Sequence, residues 1–345
     1  RLPEDGIPVA STTDFDDLCW DIYPRVTNRY PEDEAFSARR AEVLHHIEAG
    51  AGELGLDEAL QLLHGNVVAG DEFNGRAVAA LAESVADGNV RCHTATMARL
   101  GITYDLLTHE SDILHLGFWQ RAFDILREAG AIRLEEEGKN IGCWVMSLAD
   151  SPEFAEMDDP DKILVRSNGT VTYTGKDIAY QLWKLGLLVD FDGSRHDFGY
   201  RAFATWDQMA PAEPVIYGAG SRLLARTTSS TDETLPGESY GGGTAVFNVI
   251  DVRQSYPQKV VKESVRVLGH TEAADNSVHF SYEMVALTPA AVREIEGRTE
   301  VSFGLDDDTM GKTYICLLYT SPSPRDCVSN LVCRLLLEKG GGGGG

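Results

Sequence analysis

"TAVFNVIDVRQSYPQKVVKESVRVLG", residues 244–269, changes its period once. Residues 244–252 form a short apolar run that reads as a strand buried on both faces, and 256–268 space their valines as an amphipathic helix ending at Gly269. "VHFSYEMVALT", residues 278–288, adds a second strand-like run. Strands alternating with helices, one strand doubly buried, predict an α/β fold with a largely parallel sheet. In such sheets ligands sit beyond the carboxyl ends of the strands.

The same signals extend upstream. "DILHLGFWQRAFDILREAGAI" reads as one strong helix, "NIGCWVMSLAD" and "KILVRSNGTVTYTG" as strands, and "KDIAYQLWKLG" as a further helix. Before them, "AFSARRAEVLHHIEAG", "GLDEALQLLHG" and "GRAVAALAESVADG" are rich in helix formers and each stops at Gly, which predicts a helical block over 1–95 joined to an α/β region over 96–315. The stretch 187–243 is dense in Gly, Pro, Ser and Thr and reads as a long surface loop or insertion. Residues 316–345 break the pattern, hold half of the cysteines and end in a glycine homopolymer; they look like a translated adaptor and are set aside as a non-native tail.

Composition excludes several classes. A chain of 345 residues with 43% hydrophobic and 24% charged residues can bury a sizeable core. No stretch approaches a membrane span, and the first twenty residues lack a signal-peptide pattern, so the reading is of a cytoplasmic protein. A net charge of −24 argues against a general nucleic-acid surface, because phosphate binding needs clustered Lys and Arg, although a local basic groove is compatible with it. The six cysteines show no CxxC pair and read as reduced thiols rather than zinc ligands.

Three constellations lie at predicted strand ends. In "RSNGTVTYTGKDIAYQLWKLG", residues 166–186, the switch from strand to helix falls on Thr174-Gly175, between Tyr173 and Asp177. Packing explains a Tyr at a strand end, and the helix dipole explains a carboxylate in a first turn. The alternative is that a Gly bend projects both side chains into a cleft, where the carboxylate holds an ammonium or guanidinium. Asp251, Arg253 and Gln254 follow an apolar strand and suit either a loop or a site, the amide of Gln254 being both donor and acceptor. His279 suits a satisfied half-buried histidine, or a strand along which an adenine is read near Met284 and Val285.

Other motifs carry nothing. "GKT" at 311–313 follows three aspartates and lacks the glycine of a phosphate loop, and "YGAGSR" at 217–222 is too short for a dinucleotide fingerprint. His45-His46 has no partner ligands at metal spacing, and "HLGF" at 115–118, close to a phosphate-binding histidine signature, reads as packing inside a helix.

"LLTHESDILHLGFWQRAFDILREAG", "EGKNIGCWVM", "DKILVRSNGTVTYTGKDIAYQLWKLG", "NVIDVRQSYPQKVV" and "HFSYEMVALTPA", in this order and at these separations, closely resemble the catalytic region of arginyl-tRNA synthetases, from about residue 15 to 315. The resemblance implies a class I Rossmann-type catalytic domain, of which 96–315 would be the C-terminal portion and 1–95 a helical insertion or connecting region. It also implies an arginine–tRNA ligase working on L-arginine, ATP with Mg2+, and tRNA(Arg), as a monomer. By resemblance, Tyr173 and Asp177 grip the guanidinium, Gln254 reaches the amino-acid end, and His279, Met284 and Val285 lie beside the adenine. The family's His/Gly phosphate signature and its lysine loop are not found in this sequence, so the chain is expected to be an internal fragment, inactive by itself. The alternative is a non-catalytic arginine- or nucleotide-binding module derived from a synthetase.

Overall fold

Ala, Leu, Glu and Arg supply the N-terminal third with long helices, and small side chains let those helices approach closely. The computed structural model describes residues 15–52, 54–69, 74–99, 101–149, 151, 154, 160–209, 222–230, 234–283 and 289–298. In chain order the elements are α1 (Phe15–Arg29), α2 (Glu34–Ala49), α3 (Leu56–Ala69), α4 (Gly75–Arg99), β1 (Leu106–Leu107), α5 (Glu110–His115), α6 (Phe118–Glu128), β2 (Ile132–Leu134), β3 (Trp144–Met146), β4 (Lys162–Val165), α7 (Tyr173–Lys184), β5 (Gly199–Thr205), α8 (Trp206–Met209), β6 (Leu223–Thr228), β7 (Val246–Asp251), α9 (Ser255–Val267), α10 (Thr271–Asp275), β8 (Ser277–Tyr282) and α11 (Pro289–Arg298). They fall into two compact units, one built from residues up to Tyr104 with Ala204–Leu223, the other from Asp105–Phe203 and Leu224–Thr320.

In the first unit α4 packs against α1, α2 and α3. A cluster of buried alanines, Ala51, Ala59, Ala77, Ala79 and Ala80, fills its centre, with Leu54, Leu62 and Leu63 against it. Gly50 does end α2, with φ 82° and its N–H on the carbonyls of His46 and Ile47. Gly65 and Gly88 do not end α3 and α4: both helices run past them. Gly88 is an internal contact, because a Cβ there would lie 2.6 Å from the Phe15 ring.

The second unit is mixed α/β. β7 and β8 pair in parallel from Val246↔Ser277 to Asp251↔Tyr282, joined by α9 and α10 as the strand–helix–strand pattern predicts. β1 and β6 are also parallel, while β2, β3 and β4 form an antiparallel sheet. One core joins the layers, with Phe118, Trp119, Ala122 and Leu126 from α6, Ile178, Ala179 and Leu182 from α7, and Val260, Val261 and Val265 from α9.

Four expectations change. The single helix from 112 breaks at Leu116–Gly117, because Gly117 takes φ 72°, so "HLGF" is a joint between α5 and α6 with Phe118 fully buried behind it. The strand read over 166–174 stops at Val165. Ser167, Asn168 and Gly169, at φ 83°, turn the chain, which rejoins β4 through the bridge Val165↔Val171 and the Thr172 N–H to Leu164 carbonyl bond of 2.9 Å.

The stretch 187–243 is not a plain loop, since it contains β5, α8 and β6, and β6 buries Arg226, Thr227 and Thr228. Asp197 fixes its first part, accepting from Trp183 Nε1 at 2.7 Å and Phe198 N at 2.9 Å and from the Tyr200 hydroxyl. His196 spans Asp190 Oδ1 at 2.7 Å and the Leu116 carbonyl at 2.8 Å. Finally, β7 is buried on one face only: Phe247 and Val249 are each 64% exposed, as is Phe280 beside them on β8 at 62%.

Candidate functional site

Helix α7 owes its start to Thr172, whose hydroxyl accepts the Gly175 N–H at 3.4 Å and donates to the Ile163 carbonyl at 3.2 Å, tying the cap to β4. Tyr173 is therefore the first helical residue and Asp177 the fifth. The two lie one turn apart on one face, and both are exposed, Tyr173 at 77%. Neither packing explanation survives this geometry. Tyr173 is not core, and Asp177 lies beyond the first turn, where the dipole favours a carboxylate most.

Gly175 also differs from the sequence reading. It is no bend between the two side chains but a helical residue, and a Cβ there would stand 2.9 Å from the Trp119 ring and 3.0 Å from Val171 Cγ1. Its role is to let α7 lie close on α6.

Lys176 turns to Glu110 Oε1 at 3.2 Å, with its ammonium 5.8 Å from the Tyr173 ring centre. On the stripe that carries Tyr173 and Asp177, the next members are Tyr180 and Lys184. The Tyr180 hydroxyl meets Thr108 Oγ1 at 3.0 Å, and burial pushes its pKa up. Lys184 stacks its ammonium over that ring at 4.3 Å and donates to Asn248 Oδ1 on β7 at 2.9 Å. Burial of the ammonium lowers the Lys184 pKa to about 8, while the charge of Asp177 pulls it back up.

At the carboxyl end of β7, Asp251 accepts from Arg253 three times, from N and Nε at 2.8 Å and from Nη2 at 3.0 Å. Those bonds hold the Asp251 carboxyl below the usual range and tie the pair into the strand end. Gln254 closes the 3-10 turn Val252–Gln254 at the start of α9, half-buried and with no side-chain capping bond.

His279 sits opposite Asn248 in the parallel pair, and its Nε2 donates to the Ile250 carbonyl at 3.0 Å. These contacts match the satisfied half-buried histidine. His279 also lines a cavity of about 300 Å3 with Gln181, Asn248, Ser277, Gln258 and Lys262. Met284 and Val285 lie outside the described residues.

Structure thus brings Tyr173 and Asp177 together on α7, which packs against α9. The sequence reading missed Gln181, Lys184, Asn248 and Ser277. Two signals were available for them: an Asn inside an apolar strand, where Asn is depleted, and a Lys on the stripe that the helix turns toward its sheet.

Comparison with known proteins adds a further set of findings. No protein-family model matches the chain. It is 32% identical over 294 residues to the arginine–tRNA ligase of Pyrococcus furiosus, which covers 85% of this chain and 40% of that protein. It is 37% identical over 236 residues to the arginine–tRNA ligase of Pyrococcus abyssi, covering 68% of this chain and 32% of that one. A solved arginyl-tRNA synthetase of Thermus thermophilus is 29% identical, covers 68% of this chain and 38% of its own, and superposes with a TM-score of 0.48. The chain therefore spans about two fifths or less of the length of these relatives.

Proposed function

We propose, for a chain that over most of its length belongs to the arginyl-tRNA synthetase family, that it carries the arginine-recognising part of an ATP-dependent arginine–tRNA ligase. The observation that carries this reading is the pair Tyr173 and Asp177, exposed one helical turn apart on α7. A carboxylate accepts two parallel N–H bonds from a guanidinium, and an aromatic face beside it attracts the same cation, so the pair suits arginine better than a point-charge ammonium. Gln254, at the strand end, would meet the amino-acid end of the substrate with an amide that donates and accepts.

In this reading the arginine carboxylate attacks the α-phosphate of ATP, and a phosphoanhydride bond breaks to release pyrophosphate. The arginyl group of the adenylate then passes to the terminal ribose of tRNA(Arg). Neither step forms a covalent bond to the protein, so these residues work by fixing the attacking carboxylate in line. Mg2+ would arrive with the triphosphate, which supplies its oxygen ligands. Among the described residues no helix is long and apolar enough to cross a membrane; the proposed site of action is the cytoplasm, with the enzyme a monomer.

The test is arginine-dependent ATP–pyrophosphate exchange by the complete gene product. Asp177→Ala is expected to raise the KM for arginine on the order of a hundredfold, as loss of a charge-assisted pair does, with the KM for ATP unchanged. Equal loss for both substrates would remove Asp177 from the guanidinium.

A further inference from the structure

Four hydrogen bonds inside the second unit run in one direction. Lys184 Nζ donates to Asn248 Oδ1 at 2.9 Å, Asn248 Nδ2 to Gln181 Oε1 at 3.2 Å, Gln181 Nε2 to Ser277 Oγ at 3.0 Å, and the Ser277 hydroxyl to the Ala273 carbonyl at 2.9 Å. An ammonium can only donate and a carbonyl can only accept, so both ends impose the same polarity on the two amides between them. Gln181 is 1% exposed, Ser277 7% and Asn248 9%. In that setting a broken link strands a buried polar group, which makes the chain hold or fail as a unit.

We propose that Lys184 is a positioning residue for the guanidinium clamp, heading a hydrogen-bond chain that sets the rotation of α7 against β7 and β8. Lys184 lies on the same helical stripe as Tyr173 and Asp177, seven residues after the carboxylate. Turning α7 to release its ammonium from Asn248 also turns Asp177. Gln181, one turn after Asp177, ties the middle of the helix to Ser277 on β8, so the stripe is held at two heights. The ammonium and Asp177 also attract each other, which favours the carboxylate leaning along the helix. Hydrogen bonds weaken steeply when misaligned, so the closed donor–acceptor chain adds an angular constraint to the apolar packing of Ile178, Ala179 and Leu182.

The inference rests on the arginine-activation reading, and one experiment separates the two. Pyrophosphate exchange by the complete gene product is measured for the wild type, Lys184→Met, the triple variant Lys184→Met/Asn248→Leu/Gln181→Met and Asp177→Ala, together with the thermal midpoint of each. Lys184→Met is expected to raise the KM for arginine about tenfold and leave that for ATP alone, the scale on which a small misplacement acts. Replacing Lys184, Asn248 and Gln181 together by apolar groups strands no amide, since the Ser277 hydroxyl keeps the Ala273 carbonyl, so the triple variant is expected to recover its midpoint while its arginine KM stays high. If Lys184→Met folds too poorly to assay, the triple variant carries the measurement. An arginine KM within about twofold of wild type, or one that recovers together with the midpoint, overturns the role of Lys184. An Asp177→Ala enzyme with unchanged arginine KM overturns the clamp itself, and Lys184's role with it.

Discussion

Lys184 keeps its charge in a setting unlike that of most helical lysines. On a helix surface it would be a solvated charge, yet its ammonium is enclosed and its pKa stands at about 8 against an ordinary 10.5. The unfolded chain keeps that proton to about pH 10.5 while the folded one releases it near 8, so between these values the unfolded state binds more protons. Raising the pH through 8 therefore adds stability from this group, by about 3 kcal/mol at most. Urea denaturation of the wild type and Lys184→Met at pH 7 and at pH 10 checks the sign: the wild type is expected to gain on the variant at the higher pH. A wild type that loses ground would mean that the ammonium is not enclosed.

At the scale of elements, the contact between α6 and α7 turns on one missing methyl group. A Cβ on Gly175 would press on Trp119 and Val171, whose positions are set by the core behind them. Ala gains about 1 kcal/mol of helix propensity over Gly, while overpacking costs about 1–3 kcal/mol. Gly175→Ala is expected to lose about 1 kcal/mol in denaturant midpoint analysis, and a stabilised variant would show that α7 shifts freely. The same residue shows what the sequence made legible. The strand–helix–strand unit of β7, α9 and β8 was readable because its period changes cleanly, and Tyr173 with Asp177 drew attention because they flank the change of period at Thr174-Gly175. The turn at 167–169 was misread as strand because its flanking Val and Thr alternate as a strand does. β6 was hidden because its Gly- and Ser-rich flanks outweighed six residues of strand. The polar chain from Lys184 to Ala273 joins positions up to 96 residues apart, and no local pattern reports on such pairings.

For the whole molecule, the parallel pair β7 and β8 is unusual in leaving one face in water. Phe247, Val249 and Phe280 form an apolar patch on it, each more than 60% exposed. Parallel sheets are ordinarily covered on both faces, and exposed apolar patches drive association. The 345-residue chain is expected to self-associate at micromolar concentration despite its net charge of −24, and Val249→Thr with Phe280→Thr is expected to shift it toward monomer in sedimentation velocity. A chain equally monomeric with and without these changes would show the patch to be inert. On the opposite face of the same two strands Asn248 donates to Gln181 and Ser277 accepts from it, so the Asn248 and Gln181 amides each keep one orientation. Their side-chain N–H groups are thereby shielded from solvent, so the Asn248 and Gln181 amide resonances form a built-in spectroscopic gauge. Slow deuterium uptake there would report a seated α7, and its loss would report release, with no substrate present.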